Sequence, residues 1–418
     1  MQVEIVTIGN EVLSGRTLDT NFAQIARSLE EVSVQVGWHT TVGDTVERIG
    51  EALRLALGRA DAVVMTGGLG PTPDDLTRKA VATLLGRPLQ LNEKVIESIR
   101  ARARRQGRKL PASVETQALV PFGATLFDNP VGTAPGLLIE HQNRPVILLP
   151  GVPQEMEAIL KNSVVPFLRE RSGLRVVTFT LRTAGTYESK LQEKIGSLPQ
   201  QWPGASLAYL PSSYGVDLRV TVASHDADET VRVAEKAYAE LRGAVAPVIY
   251  AEGPTSMEEV VGELLVARGW RIAVAESCTG GLVSKRLTDM PGSSRYMERG
   301  FVTYSNAAKV QLLGVSEADL ATHGAVSEAV ASQMARGAAE RAGVEVGVGV
   351  TGIAGPDGGT ADKPVGTVFV AVHDPAGEGV RLLKMFGSRW NIRERSAQLA
   401  LDLVRRRLEG LPLDPRID

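Results

Sequence analysis

The stretch DAVVMTGGLGPTPDDLT, residues 61–77, decides the fold of the first third of the chain. DAVVMT is an unbroken apolar run, the pattern of a strand buried on both faces. It ends in a glycine-rich loop, and a helix is expected to start near Asp74. Outward from it the alternation repeats. VEIVTI is a short apolar run ending at Gly9, a helix pattern covers about Asp19 to Glu30, and RPVILLP is a later strand running into a turn. Strands alternating with helices predict an α/β unit, a parallel sheet with helices on both faces.

In such a sheet the loops at strand carboxyl ends build the ligand crevice. Three of them carry polar chemistry: GNEVLSGRTLDTN (9–21), TGGLGPTPDDLT (66–77) and PGVPQEM (150–156). They supply Asn10, Glu11, Ser14, Asn21, Thr66 and Glu155 as candidate binding residues. Gly67, Gly68 and Gly70 let backbone N–H groups approach phosphate oxygens, with a helix dipole behind them. Two acids beside a phosphate cradle repel the anion unless a cation intervenes. That predicts Mg²⁺ or a similar divalent ion, with Asp19, Asp74 and Asp75 as candidate ligands. A glycine turn followed by Asp is also an ordinary helix N-cap. The coincidence of three polar loops is what points to a site. The pattern is not GxGxxG, so a nicotinamide redox enzyme is not indicated.

The 418 residues suggest two to four domains at roughly 100–200 residues each. The 46 basic and 48 acidic residues leave a net charge of −2, with no global field for nucleic acid or an anionic membrane. The basic run IRARARRQGRK (99–109) reads as a solvated helix face. The single cysteine excludes an internal disulfide and suggests a cytoplasmic location. No signal peptide or membrane span is expected. Five scattered histidines argue against a structural zinc site.

From about Arg169 the composition turns polar. VVTFTLRT, a helix from Glu188, the strand VDLRVTVAS and a helix from Glu229 to Leu241 predict a small α+β unit. VIYAEGPTSMEE (248–259) reads as a linker, with Ser256 and Glu259 forming a capping box. The last third is again α/β, with strands RIAVAES, VEVGVGVTG and VGTVFVAVH and a closing helix from about Ile392 to Glu409.

AESCTGGLVSKRL (275–287) places Ser277 and Cys278 where a strand breaks into a helix. The N–H groups of Thr279, Gly280 and Gly281 form a candidate oxyanion hole or phosphate nest. YSNAAK adds Tyr304, Asn306 and Lys309, TGIAGPDGG adds Thr351 and Gly352, and GSRWNIR adds Arg389 and Arg393. No histidine lies near these motifs in sequence. A serine nucleophile would therefore need a lysine base, assisted by Tyr304 or Thr351. The thiol of Cys278 is a rival nucleophile, although a lone buried cysteine usually packs as a small hydrophobe. Activated water is the third option. Adjacent residues face opposite ways, so Ser277 and Cys278 are not expected to share an environment.

Together GNEVLSGRTLDTN, TGGLGPTPDDLT, NPVGTAPG, PGVPQEM, AESCTGG, YSNAAK and TGIAGPDGG resemble the bacterial CinA family, in order and over nearly the whole chain. The resemblance implies a molybdopterin-binding-like three-layer αβα domain over 1–168. It implies a KH-type middle domain over 172–247 and a nicotinamide mononucleotide deamidase domain over 255–418. It further implies ADP-ribose hydrolysis to AMP and ribose 5-phosphate in the first domain with a divalent metal. The last domain would release ammonia from nicotinamide mononucleotide without a cofactor, and the protein would be a homodimer. The deamidase residues carried over are Ser277, Tyr304, Lys309, Thr351 and Arg393, with Arg389 close by. The KH-type unit reads RTAGTYES where a GxxG loop would stand, so no nucleic-acid partner is expected. Two other readings are a molybdopterin-handling first domain and a non-catalytic competence or recombination adaptor. Assaying each nucleotide for ammonia and phosphate-ester products separates them.

Overall fold

A computed structural model of the protein describes residues 1–105, 107 and 114–415, so part of the basic run 99–109 lies outside the described residues. The chain divides into two compact units, Met1–Val176 with Ala223–Thr230, and Val177–Val222 with Val231–Asp418.

The first unit holds β1 (Gln2–Ile8), β2 (Gln35–Val42), β3 (Ala62–Thr66), β4 (Leu89–Leu91), β5 (Leu119–Pro121), β6 (Thr125–Phe127), β7 (Gly136–His141) and β8 (Arg144–Leu149). Six of these form one sheet in the order β2-β1-β3-β8-β7-β6, and β4 pairs with β5 apart from it. The apolar run of β3 divides by alternation. Val63 and Met65 join the core with Ile49, Leu53 and Val81, while Ala62 and Val64 join the core with Ile25, Leu29 and Met156. Burial on both faces is why no polar residue interrupts it. The expectation of a parallel sheet holds for β2, β1, β3 and β8 but not for β7 and β6, which run antiparallel. The reversal is made at Gln142 and Asn143, with φ of 50° and 63°, a two-residue turn whose twist suits a hairpin.

The helix expected near Asp74 begins at Thr77 and runs to Leu84. Asp74 and Asp75 lie in a tight turn before it. The Asp75 carboxylate accepts from the Thr72 amide (2.8 Å) and hydroxyl (2.6 Å), so this acid closes a turn rather than capping a helix.

The second unit continues with β9 (Arg175–Thr183), β10 (Ala205–Ser212), β11 (Gly215–Ser224) and β12 (Ile249–Glu252), in the order β10-β11-β9-β12. The supposed linker is thus partly a strand: β12 pairs antiparallel with β9 and buries Tyr250. Four residues are too few to show a period in sequence. The capping box of Ser256 and Glu259 is present at the start of the helix Met257–Arg268.

β13 (Ile272–Glu276), β14 (Met297–Val302), β15 (Val346–Gly352), β16 (Thr367–Asp374) and β17 (Gly377–Lys384) form the last sheet, in the order β14-β13-β15-β16-β17. The first three are parallel and the last two antiparallel. The VGVGV run of β15 has a steric cause. A Cβ on Gly347 would stand 2.0 Å from the Ala335 carbonyl oxygen, and one on Gly349 2.3 Å from that of Ala331. The helix Glu328–Ala342 therefore lies directly on the bare backbone of β15. The closing helix starts at Arg389, three residues before the expected Ile392, capped by Ser388. Among the described residues, no helix is long and apolar enough to cross a membrane.

Candidate active sites

The first site is a cavity of about 920 Å³ at the carboxyl ends of β1, β3 and β8. It gathers Asn10, Glu11, Ser14, Gly67, Gly68, Gly70, Asp74, Asp75 and Glu155 from loops far apart in sequence. The glycine loop is shaped by close approach. A Cβ on Gly67 (φ +108°) would meet the Ile8 carbonyl at 2.2 Å, and one on Gly68 (φ +65°) the Thr77 hydroxyl at 2.3 Å. Arg78, which sequence reasoning missed, is buried beneath the loop and donates to the carbonyls of Leu69 (2.5 Å) and Gly70 (2.9 Å). Burial lowers its pKa, with Asp75 opposing. Arg16 and Asp44 also line the cavity, and the Asp44 carboxylate accepts from the Asn10 amide at 2.8 Å.

Three expected residues stand elsewhere. Asn21 donates to the Thr66 hydroxyl (3.1 Å) and the Gly151 carbonyl (2.9 Å), and Thr66 donates to the Pro150 carbonyl. Both tie the loops together from behind. Asp19 caps the helix Thr20–Glu30 through the Phe22 amide and lies 3.2 Å from the His39 ring. It is withdrawn from the set of metal ligands. Among the described residues, no group of three or more acidic, histidine or cysteine side chains converges to cage an ion. Asp74 and Asp75 remain on the wall. Mg²⁺ commonly takes one or two carboxylates and completes its shell with water and substrate phosphate; Asp74 and Asp75 supply that number, with one Asp75 oxygen already engaged by Thr72.

The second site lies at the end of β13. Lys309 is only 1% exposed, and its Nζ donates to the Ser277 hydroxyl (3.2 Å) and to the carbonyls of Thr303 (2.9 Å) and Tyr304 (3.5 Å). The helix Asn306–Leu313, capped by Ser305, explains this reach. Helical side chains point back toward the N-terminus, so Lys309 covers the turn that precedes its own helix. Burial lowers the Lys309 pKa, and the nearby Cys278 opposes weakly. The Ser277 amide is pinned to the Val350 carbonyl at 2.9 Å, fixing the serine beside β15. Cys278 faces away into the core, 6% exposed, and burial pushes its thiol up to about 12. A thiol that keeps its proton at neutral pH is a poor nucleophile.

The expected oxyanion donors are partly spent. Glu276 is fully buried and its carboxylate accepts from the amides of Gly281 (3.0 Å), Val283 (3.1 Å) and Ser284 (2.9 Å), and from the Ser284 hydroxyl. The Gly280 amide donates to the Ser277 carbonyl. The anion at this helix start is therefore the protein's own, and the Gly280 and Gly281 N–H groups are not available to a ligand. Glu276 was visible in AESCTGG as an acid ending a strand of buried residues. Thr279 and Thr303 are buried with hydroxyls lacking a partner.

The assistants to the lysine also differ. The Thr351 hydroxyl donates to the Ala325 carbonyl at 2.7 Å. The Tyr304 hydroxyl is exposed and accepts from Arg389 at 3.0 Å. What touches Lys309 is the carbonyl of Tyr304, not its phenol. Gly352 is required by β16, since a Cβ there would stand 2.6 Å from Val368. Asn306 is exposed at the helix start. Arg389 and Arg393 rise from the first turns of the closing helix. Arg389 donates to the Gly355 carbonyl (2.7 Å), and Arg393 to the Thr279 carbonyl (2.7 Å) with its Nε buried and unpartnered. Arg393 thus borders the Ser277 turn, while Arg389 holds the Gly355 loop and the Tyr304 phenol.

Residues 254–408 match the CinA C-terminal domain, residues 178–251 the KH domain of the damage-inducible protein CinA, and residues 4–170 a probable molybdopterin binding domain. A CinA-like protein of Gemmatimonas aurantiaca is 45% identical over 413 residues, covering 97% of this chain and 96% of that protein. A putative competence-damage inducible protein of Acetivibrio thermocellus is 41% identical over 406 residues, covering 97% and 98%. The crystal structure of a CinA protein with unknown function from Thermoplasma acidophilum is 41% identical over 38% of this chain and 94% of its own, with a TM-score of 0.36. With this identity sustained along both full lengths, the chain belongs to the CinA family.

Proposed function

We propose that the protein is a bifunctional hydrolase of pyridine nucleotides, and that its second unit deamidates nicotinamide mononucleotide. The observation that carries the reading is the Ser277–Lys309 pair, a hydroxyl 3.2 Å from a buried amine. Burial favours neutral lysine, which can take the hydroxyl proton as Ser277 attacks the carboxamide carbon. An Oγ–C bond forms, and the proton passes to the amide nitrogen as the C–N bond breaks and ammonia leaves. Water then cleaves the ester to give the carboxylate, nicotinate mononucleotide, and restores the serine. Arg389 and Arg393 supply charge for the 5′-phosphate. No cofactor is needed.

For the first unit we propose hydrolysis of ADP-ribose to AMP and ribose 5-phosphate. Among the described residues the cavity wall carries Glu11, Asp44, Asp74, Asp75 and Glu155 against Arg16. A pyrophosphate enters such a site only with a cation, and Asp74 and Asp75 are the residues to hold it. A divalent ion there would neutralise the phosphate charge. The match to a probable molybdopterin binding domain favours one competing reading, a pterin ligand in the same cavity. The protein is proposed to act as a cytoplasmic homodimer without a nucleic-acid partner. The purified full chain, incubated separately with each nucleotide, should yield ammonia from nicotinamide mononucleotide and AMP from ADP-ribose. Neither product would leave only a binding or adaptor role.

A further inference from the structure

One acid on the wall of the first cavity, Glu155, has its carboxylate fixed by a loop that comes from elsewhere in the sequence. We infer that Glu155 is the catalytic base of that site, the group that takes a proton from the water attacking the pyrophosphate. The inference rests on the ADP-ribose reading above.

Two features of the stretch NPVG, residues 129–132, fix this carboxylate. The Asn129 side-chain oxygen accepts from the amides of Val131 (3.0 Å) and Gly132 (2.7 Å). Only an oxygen can do so, and the amide nitrogen must then face the other way. There Nδ2 donates to the Ala134 carbonyl (2.7 Å) and to Glu155 Oε2 (2.6 Å). Gly132 leaves the room for the carboxylate. A Cβ on it would stand 1.8 Å from the Glu155 carboxyl carbon and 1.9 and 2.2 Å from its two oxygens. Arg102 holds the same loop through the Gly132 carbonyl (3.0 Å). A base fixed in this way needs no reorganisation when the water attacks.

Asn129 takes Oε2, and among the described residues no donor meets Oε1 of this half-buried side chain. The helix Pro153–Ile159, which carries Glu155, starts two residues after Gly151. A Cβ on Gly151 would lie 3.4 Å from the Gly67 Cα, so this turn packs on the glycine loop expected to hold phosphate. The other acids of the wall are less suited. Asp75 closes its turn with Thr72, Asp44 accepts from the Asn10 amide, and Glu11 is exposed. In the step, Glu155 takes one proton of a water as the water oxygen bonds to one phosphorus. The bridging P–O bond breaks, its electron pair leaves with the other phosphate, and the proton passes to that phosphate.

The test uses the full chain with Mg²⁺ and ADP-ribose. Glu155→Gln keeps the shape and an oxygen for Asn129 but cannot accept the proton. Its kcat for AMP formation should fall at least about 100-fold, with KM within about threefold of wild type and ADP-ribose affinity by calorimetry unchanged. Gly132→Ala removes no functional group, yet it should lower kcat by displacing the carboxylate. If Gly132→Ala fails to fold, the isosteric Glu155→Gln decides alone. Glu155→Gln near the wild-type rate, a loss confined to KM, or a rate restored by raising Mg²⁺ would each overturn the inference; the last would make Glu155 a metal ligand. No AMP from the wild type would instead sink the ADP-ribose reading, and the base with it.

Discussion

Replacing Ser277 by Ala removes one of the three groups that Lys309 Nζ contacts and leaves the Thr303 and Tyr304 carbonyls in place. The lysine therefore stays hydrogen-bonded, and the expected stability loss is about 1 kcal/mol, one net hydrogen bond. Activity should respond on another scale. Without a nucleophile, transition-state stabilisation falls by on the order of 4–8 kcal/mol, about 10³- to 10⁶-fold in ammonia release. Lys309→Met should cost a similar factor, because the serine keeps its proton. The pair acts as a unit, so the double variant should be no slower than about tenfold below the worse single one. Ammonia release would be measured for all four proteins, with nucleotide affinity by calorimetry and stability by urea titration. Affinity should change little, since Arg389 and Arg393 are untouched. Ser277→Ala at near wild-type rate, or losses that multiply in the double variant, would refute the assignment of Ser277 and Lys309 to one step.

Other expectations are as direct. Ammonia release should rise with pH through a limb below the ordinary lysine value of 10.5, since neutral Lys309 is the active form, and Lys309→Met should lack that limb. A chelator should stop AMP formation from ADP-ribose and spare ammonia release; equal loss of both would count against a metal confined to the first unit. Cys278→Ala should retain most activity. In the wild type the unfolded thiol ionises near 9.0, while the folded one keeps its proton to about 12. The unfolded state thus binds fewer protons in that window, and this contribution to stability is lost as pH rises through it. The stability difference from Cys278→Ala should be constant below about pH 9 and shift in the variant's favour above it, as urea midpoints would show. Glu276→Gln should destabilise by about 3 kcal/mol, because an amide nitrogen cannot accept from the N–H groups the carboxylate now receives; an unchanged urea midpoint would contradict that role.

The sequence alone determined what local pattern can carry. The unbroken run of β3, the capping box of Ser256 and Glu259, and the order of motifs placing the chain in its family were all legible. Ser277, Tyr304, Lys309, Thr351 and Arg393, with Arg389 close by, were also legible as one candidate set, of which the fold brings Lys309 to the Ser277 hydroxyl and Arg393 to the Thr279 carbonyl. Tertiary structure decided where each donor and acceptor is spent. Only packing shows that Glu276 fills the helix start expected to face substrate, and that Asp19 serves a helix cap. Only packing separates the Tyr304 carbonyl, which holds the lysine, from its phenol, which holds Arg389. The reason is physical. Residue type says which hydrogen bonds a group can make, but partners distant in sequence decide which of them it does make.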